Sequence, residues 1–100
     1  MALIQVTAAR LRSEAEKLRT YNSNYKAQVS SLETVEGELN SMWEGEAKTA
    51  FHTAFQSDKV QMDNFYNAIE KYIQSLLTIA QKYEQAEQAN TETAKTRNYK

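Results

Sequence analysis

Neither cysteine nor proline occurs in these 100 residues, and glycine occurs only twice, at Gly37 and Gly45. Without cysteine there can be no disulfide, no thiolate metal centre and no thiol nucleophile. Without proline, and with glycine so scarce, little interrupts a helix, and the abundance of Ala, Glu, Gln, Lys and Leu favours long ones. His52 is the sole histidine, which leaves no imidazole pair for a metal or a triad. Carboxylates at helical spacing, Glu33 with Glu36 and Glu84 with Glu87, lack the further ligand that would complete a metal site. Phosphate-cradling glycine loops and nucleophile elbows are missing too. These absences argue against an enzyme, and no cofactor or metal is expected.

Long apolar runs are also lacking. Nothing approaches the ~18–20 apolar residues of a membrane span, so no integral membrane segment is expected. Met1–Thr7 has no basic region and falls short of the ~7–15-residue apolar core of a signal peptide. The expectation is a protein that stays in the cytoplasm or leaves by a route that reads no cleavable leader. Net charge is −1 and the pI about 5.8, and the basic residues near the N-terminus have no interleaved aromatic platform, so nucleic acid is not an expected partner.

What the chain does have is 41% apolar and 25% charged residues, a composition that folds. From Thr7 to about Ser41 the apolar positions Ala8, Leu11, Ala15, Leu18, Tyr25, Val29, Leu32, Val35, Leu39 and Met42 recur in steps dominated by three and four, with Asn22 on the stripe, which predicts an amphipathic helix of roughly 50 Å. Thr7 is its expected N-cap. Gly37 interrupts the helix interior, either as a tolerated glycine or as a point of close helix approach.

Asn40-Ser41-Met42-Trp43-Glu44-Gly45-Glu46 is the one plausible break, because Gly45 can adopt a positive φ and Asn40 and Ser41 compete for backbone hydrogen bonds. A turn over 42–46 makes a hairpin. A second helix over 47–89 carries Phe51, Phe55, Met62, Phe65, Ile69, Tyr72, Leu76, Ile79, Tyr83 and Ala86 in a four-three alternation, which is coiled-coil-like. This set is expected to face the first helix. Ala54, Tyr66, Ile73, Leu77 and Ala80 widen the stripe and are expected to help face another subunit. Asn90–Lys100 loses the apolar period and reads as a flexible tail, so the chain is one helical-hairpin domain over 1–100.

Two helices alone cannot enclose a core, so a partner is implied. Residues 1–26 carry Arg10, Arg12, Lys17, Arg19 and Lys26 against Glu14 and Glu16, whereas 27–47 carry Glu33, Glu36, Glu38, Glu44 and Glu46 and no base. Head-to-tail pairing of two hairpins would set acidic tip beside basic open end, selecting orientation more than adding affinity. Core or dimer packing is expected of Leu11, Leu18, Tyr25, Leu32, Phe55, Phe65, Ile69, Tyr72, Leu76 and Ile79.

With Trp43-Glu44-Gly45 central between two amphipathic helices, and Tyr83-Glu84-Gln85-Ala86-Glu87 near the C-terminus, the chain resembles the Trp-x-Gly hundred-residue family, WXG100, the ESAT-6-like substrates of type VII secretion. The likeness covers essentially the whole chain. One departure stands at the start of the first helix, Thr7-Ala8-Ala9-Arg10-Leu11, where similar proteins often carry Thr-Pro-Glu-Glu-Leu. The resemblance implies an all-α fold of two long antiparallel helices dimerising into a four-helix bundle, with itself or a related WXG100 protein as partner. It also implies export in folded form by a type VII secretion ATPase, without a cleaved leader and without enzymatic activity. Trp43 and Gly45 match the family's turn motif, and Tyr83 and Glu87 its C-terminal secretion signal.

Forty positions separate Trp43 from Tyr83, roughly 60 Å of helix, so the two motifs can share one surface only across an antiparallel dimer. Counting back from the tip puts Tyr83 level with about Val6 and leaves the Glu87 turn projecting. The Tyr83 ring is expected in the core, with its hydroxyl and Glu87 facing the recognising partner. Two other readings remain at this point: an intracellular adaptor or chaperone pairing with a larger toxin or another small helical protein, and a purely structural coiled-coil module.

Overall fold

The computed structural model describes residues 6–97, with side chains through residue 91. Two helices make up almost all of it, α1 (Ala8–Met42) and α2 (Glu46–Arg97), joined by Trp43, Glu44 and Gly45 into a hairpin. No strand occurs among the described residues. Thr7 caps α1: its Oγ1 accepts the Arg10 N–H at 3.1 Å and its carbonyl accepts the Leu11 N–H at 3.0 Å. No acid stands in the first turn of α1, so its own sequence does little to offset the helix dipole there.

The flexible tail expected from Asn90 onward is corrected as far as the described residues go, because α2 continues to Arg97. Losing the apolar period removed a packing signal, not helical propensity. The segment has neither glycine nor proline, and the Thr91 hydroxyl donates back to the Glu87 carbonyl at 2.9 Å. The remainder of that predicted tail, 98–100, lies outside the described residues, as do residues 1–5 on which most of the leader expectation rests.

By its internal contacts the chain divides into two units, each holding a stretch of both helices: Arg19–Glu70, and Met1–Leu18 with Lys71–Lys100. In the unit Arg19–Glu70, α1 buries Asn22, Val29 and Glu36, spaced by seven. Against them α2 sets His52, Lys59 and Tyr66, at the same spacing and half-buried. Asn22 Nδ2 donates to the Tyr66 carbonyl at 3.1 Å and to Glu70 at 3.2 Å, while its Oδ1 is buried without a partner. His52 Nδ1 pairs with Glu36, which is only 7% exposed. Tyr25 meets Phe65 edge to face at 5.2 Å.

Among the described residues of the other unit, the buried apolar ones are Ala8 and Ala15 of α1 and Ile73 and Ala80 of α2, again spaced by seven within each helix. Three of the four are alanines. Small side chains at the centre of a two-helix seam let the backbones come close, as large ones cannot.

These seams correct the expected division of faces on α2. Tyr66, Ile73 and Ala80, assigned to another subunit, lie against α1 instead. Phe51, Phe65, Tyr72, Ile79 and Tyr83, assigned to α1, are exposed. The physical reason is that a sustained four-three alternation marks an apolar stripe without fixing which edge of it the neighbouring helix covers, whereas a seam between two helices selects for fit. Phe55, Met62, Ile69 and Leu76 are half-buried at its edge. Gly37 is not a point of close approach, since a Cβ added there would meet nothing within 4 Å.

Candidate functional site

The turn is built by a short series of backbone devices. The Trp43 N–H donates to the Leu39 carbonyl at 3.0 Å and the Ser41 hydroxyl to that of Glu38 at 2.8 Å, closing the last turn of α1. Gly45 then takes φ 105°, and its carbonyl accepts the Thr49 N–H at 3.4 Å to begin α2. Space is not what demands glycine at this position, because a Cβ would touch nothing; the positive φ is. Trp43 packs on Phe51 with ring centroids 5.7 Å apart, yet 38% of Trp43 stays exposed. The tryptophan is therefore a partial cover packed on an aromatic neighbour, with part of its surface left open.

Tyr83 and Glu87 fall in the other unit. Tyr83 is 43% exposed, so its ring is not enclosed within the hairpin, contrary to the core position expected of it. Glu87 Oε1 accepts the Ala8 N–H at 3.2 Å, and Arg12 pairs with Glu84. Glu87 is thus anchored to the first turn of α1 rather than projecting beyond it. The expected register ignored side-chain direction. Helical side chains lean toward the N-terminus of their own helix, which carries the Glu87 carboxylate back over the preceding turn of α2 and onto Ala8.

Of the ten residues expected to pack, Leu11, Leu18, Tyr25, Phe55, Ile69 and Leu76 are half-buried, and Leu32, Phe65, Tyr72 and Ile79 are exposed. In the unit Arg19–Glu70, Leu32, Val35, Leu39, Phe51 and Phe65 leave large apolar surfaces open; in the other, Tyr72, Ile79 and Tyr83 do. Exposed apolar side chains mark an interaction site where they join into one patch. Among the polar seam residues, the sequence places Asn22 on the α1 stripe, whereas reading by hydrophobicity missed Glu36 and His52. The signal for Glu36 was the seven-residue spacing shared with Ala8, Ala15, Asn22 and Val29, and for His52 that shared with Tyr66, Ile73 and Ala80, irrespective of polarity.

A cleft of about 290 Å³ opens in the unit Arg19–Glu70 beside Val29 and Met62. Its charged rim is engaged: Lys59 reaches Asp63 at 2.9 Å and Glu33 at 3.7 Å, and the Lys26 ammonium sits 5.1 Å from the centre of the Tyr66 ring. Hydrogen bonding to Glu70, followed by burial, pushes the Tyr66 hydroxyl up from its ordinary range. Hydrogen bonding to Lys17 holds the Glu14 carboxyl down. No group of acids and histidine suited to a metal occurs among the described residues, and none of the helices is long and apolar enough there to cross a membrane.

The described residues thus form a hairpin of two long helices, closed by Trp-x-Gly, carrying Tyr-x-x-x-Glu on the second helix and leaving large apolar side chains exposed. The sequence model of the family described as WXG100, "Proteins of 100 residues with WXG", matches residues 3–88, and the chain belongs to that family. No curated protein matches it. Among solved structures it resembles EsxB, a secreted protein from Bacillus anthracis str. Sterne, at 24% identity and TM-score 0.78, over 87% of this chain and 99% of that one. The wild-type EsxB in another crystal form gives 25% identity and TM-score 0.74, over 83% and 89%. A point mutant of EsxB, with alanine in place of a glycine, gives 25% and 0.76, over 85% and 98%.

Proposed function

We propose that this chain is a non-enzymatic substrate of a type VII secretion system, exported as a folded head-to-tail homodimer in a four-helix bundle. In this reading Trp43 and Gly45 of one copy and Tyr83 and Glu87 of the other form the export determinant read by the secretion ATPase. The observation that carries the reading is the open apolar surface beside both motifs in a member of the WXG100 family. Within one chain that surface has no cover, and a second copy offers a matching one. Opposite charge of the 1–26 and 27–47 segments favours the antiparallel arrangement, and the likeness to EsxB, a secreted protein of Bacillus anthracis, supports export.

Sedimentation at micromolar concentration is expected to show a dimer. Phe65→Glu, placing a carboxylate on a ring that is 54% exposed, is expected to weaken it by about a hundredfold or more, since burying an unpaired charge costs several kcal/mol. A stable wild-type monomer would overturn the dimer. For export, Tyr83→Ala and Glu87→Ala are expected to retain folded protein in the cells while depleting the culture supernatant. Unchanged supernatant levels would remove the signal.

A further inference from the structure

The first turn of α1 has no acid of its own, and the carboxylate that reaches it comes from Glu87, 79 residues away. One turn further along α1, Arg12 holds Glu84. Both acids of Tyr83-Glu84-Gln85-Ala86-Glu87 are thereby tied to α1, while Tyr83 stays largely open. The tie to Glu87 uses one carboxylate oxygen, and the residue as a whole remains exposed. Contact of that kind presents the carboxylate rather than hiding it. A glutamate on a bare helix surface loses rotamer freedom when it is bound; one already held by a backbone donor has lost part of it beforehand.

Resting on the export reading above, we propose that the first turn of α1 is a positioning element of the export determinant: the Ala8 N–H and Arg12 set Glu87 and Glu84, so that the signal is complete only when the N-terminal turn is docked on α2. The secretion partner then reads a feature of the folded hairpin, not a linear motif. Ala8 and Arg12 are positioning residues here, and Tyr83 and Glu87 the ones that meet the partner.

A pair of substitutions at Ala8 separates this role from stability. Ala8 is the first helical residue, where proline is favoured yet carries no N–H, so Ala8→Pro deletes the donor and preserves the helix start. Ala8→Gly keeps the donor in a poorer helix former. Full-length variants are expressed in cells with an active type VII machine, and the ratio of secreted to intracellular protein is measured beside the unfolding midpoint and the sedimentation of each. Ala8→Pro is expected to lower the secreted ratio several-fold with the dimer retained, and Ala8→Gly to secrete as the wild type despite a lower midpoint. Arg12→Gln, which leaves the α1 backbone intact, is expected to lower the ratio in the same direction and decides the matter should the proline variant fail to fold.

Secretion that follows the unfolding midpoint, or wild-type secretion by both Ala8→Pro and Arg12→Gln while Glu87→Ala fails, overturns the positioning role; in the second case the export reading stands. Wild-type secretion by Glu87→Ala and Tyr83→Ala removes the export signal, and the positioning role with it.

Discussion

Gly37 and Gly45 serve opposite ends. Gly45 holds φ 105°, so Gly45→Ala is expected to destabilise by about 1–2 kcal/mol through backbone strain alone. Gly37 lies inside α1 with open space around it, and Gly37→Ala is expected to stabilise by about 0.5–1 kcal/mol by restricting the unfolded chain. Urea denaturation of the two variants should move in opposite directions. The role of Gly45 was legible because it was the only break in a chain without proline. The open space around Gly37 was not, because it depends on the distance between two helices and on nothing local. Tyr66 offers a pH test. Its folded hydroxyl titrates above the ordinary tyrosine value because it donates a hydrogen bond to Glu70, so the stability it contributes is present below that ordinary value and is lost as pH rises through the folded one. Absorbance titration should show a late-ionising tyrosine that disappears in Tyr66→Phe.

The helices themselves were readable from periodicity, and so was their junction. Which face of α2 meets α1 was not. Two stripes run side by side on α2, and the one with the sustained four-three alternation reads as the face toward α1, although the seam takes Ile73 and Ala80. The reversal has a measurable consequence. Ile73 is fully buried, and Ile73→Ala is expected to cost about 2–4 kcal/mol at any protein concentration. Tyr72, next to it in sequence but 59% exposed, belongs to the open face. In the dimer proposed above, Tyr72→Ala should weaken association and, once dilution has separated the subunits, leave thermal stability close to that of the wild type. Equal effects at all concentrations would return Tyr72 to the seam. The C-terminal end of α2 was misread for a related reason: apolar periodicity reports packing, and the propensity of a polar segment without glycine or proline to stay helical leaves no such trace.

For the molecule as a whole, the fold and the family were legible from length, helix pattern and two motifs, whereas the tie between Glu87 and α1 was not. It depends on a backbone donor and on side-chain direction, neither of which has a residue-type signature. The two units also differ in how their contacts are distributed along the chain. Glu36 and His52 are only 16 positions apart, while Ala8 waits for a residue 79 positions downstream. Loop closure favours the nearer pair, so pulsed hydrogen exchange during refolding should protect amides in Arg19–Glu70 before those around Ala8. On the ribosome, at about 5–20 residues per second, the start of α1 stands uncapped by Glu87 for roughly 4–16 s. A chain truncated anywhere before Glu87 never closes that contact, so its N-terminal helix end serves as a built-in record of whether synthesis went far enough.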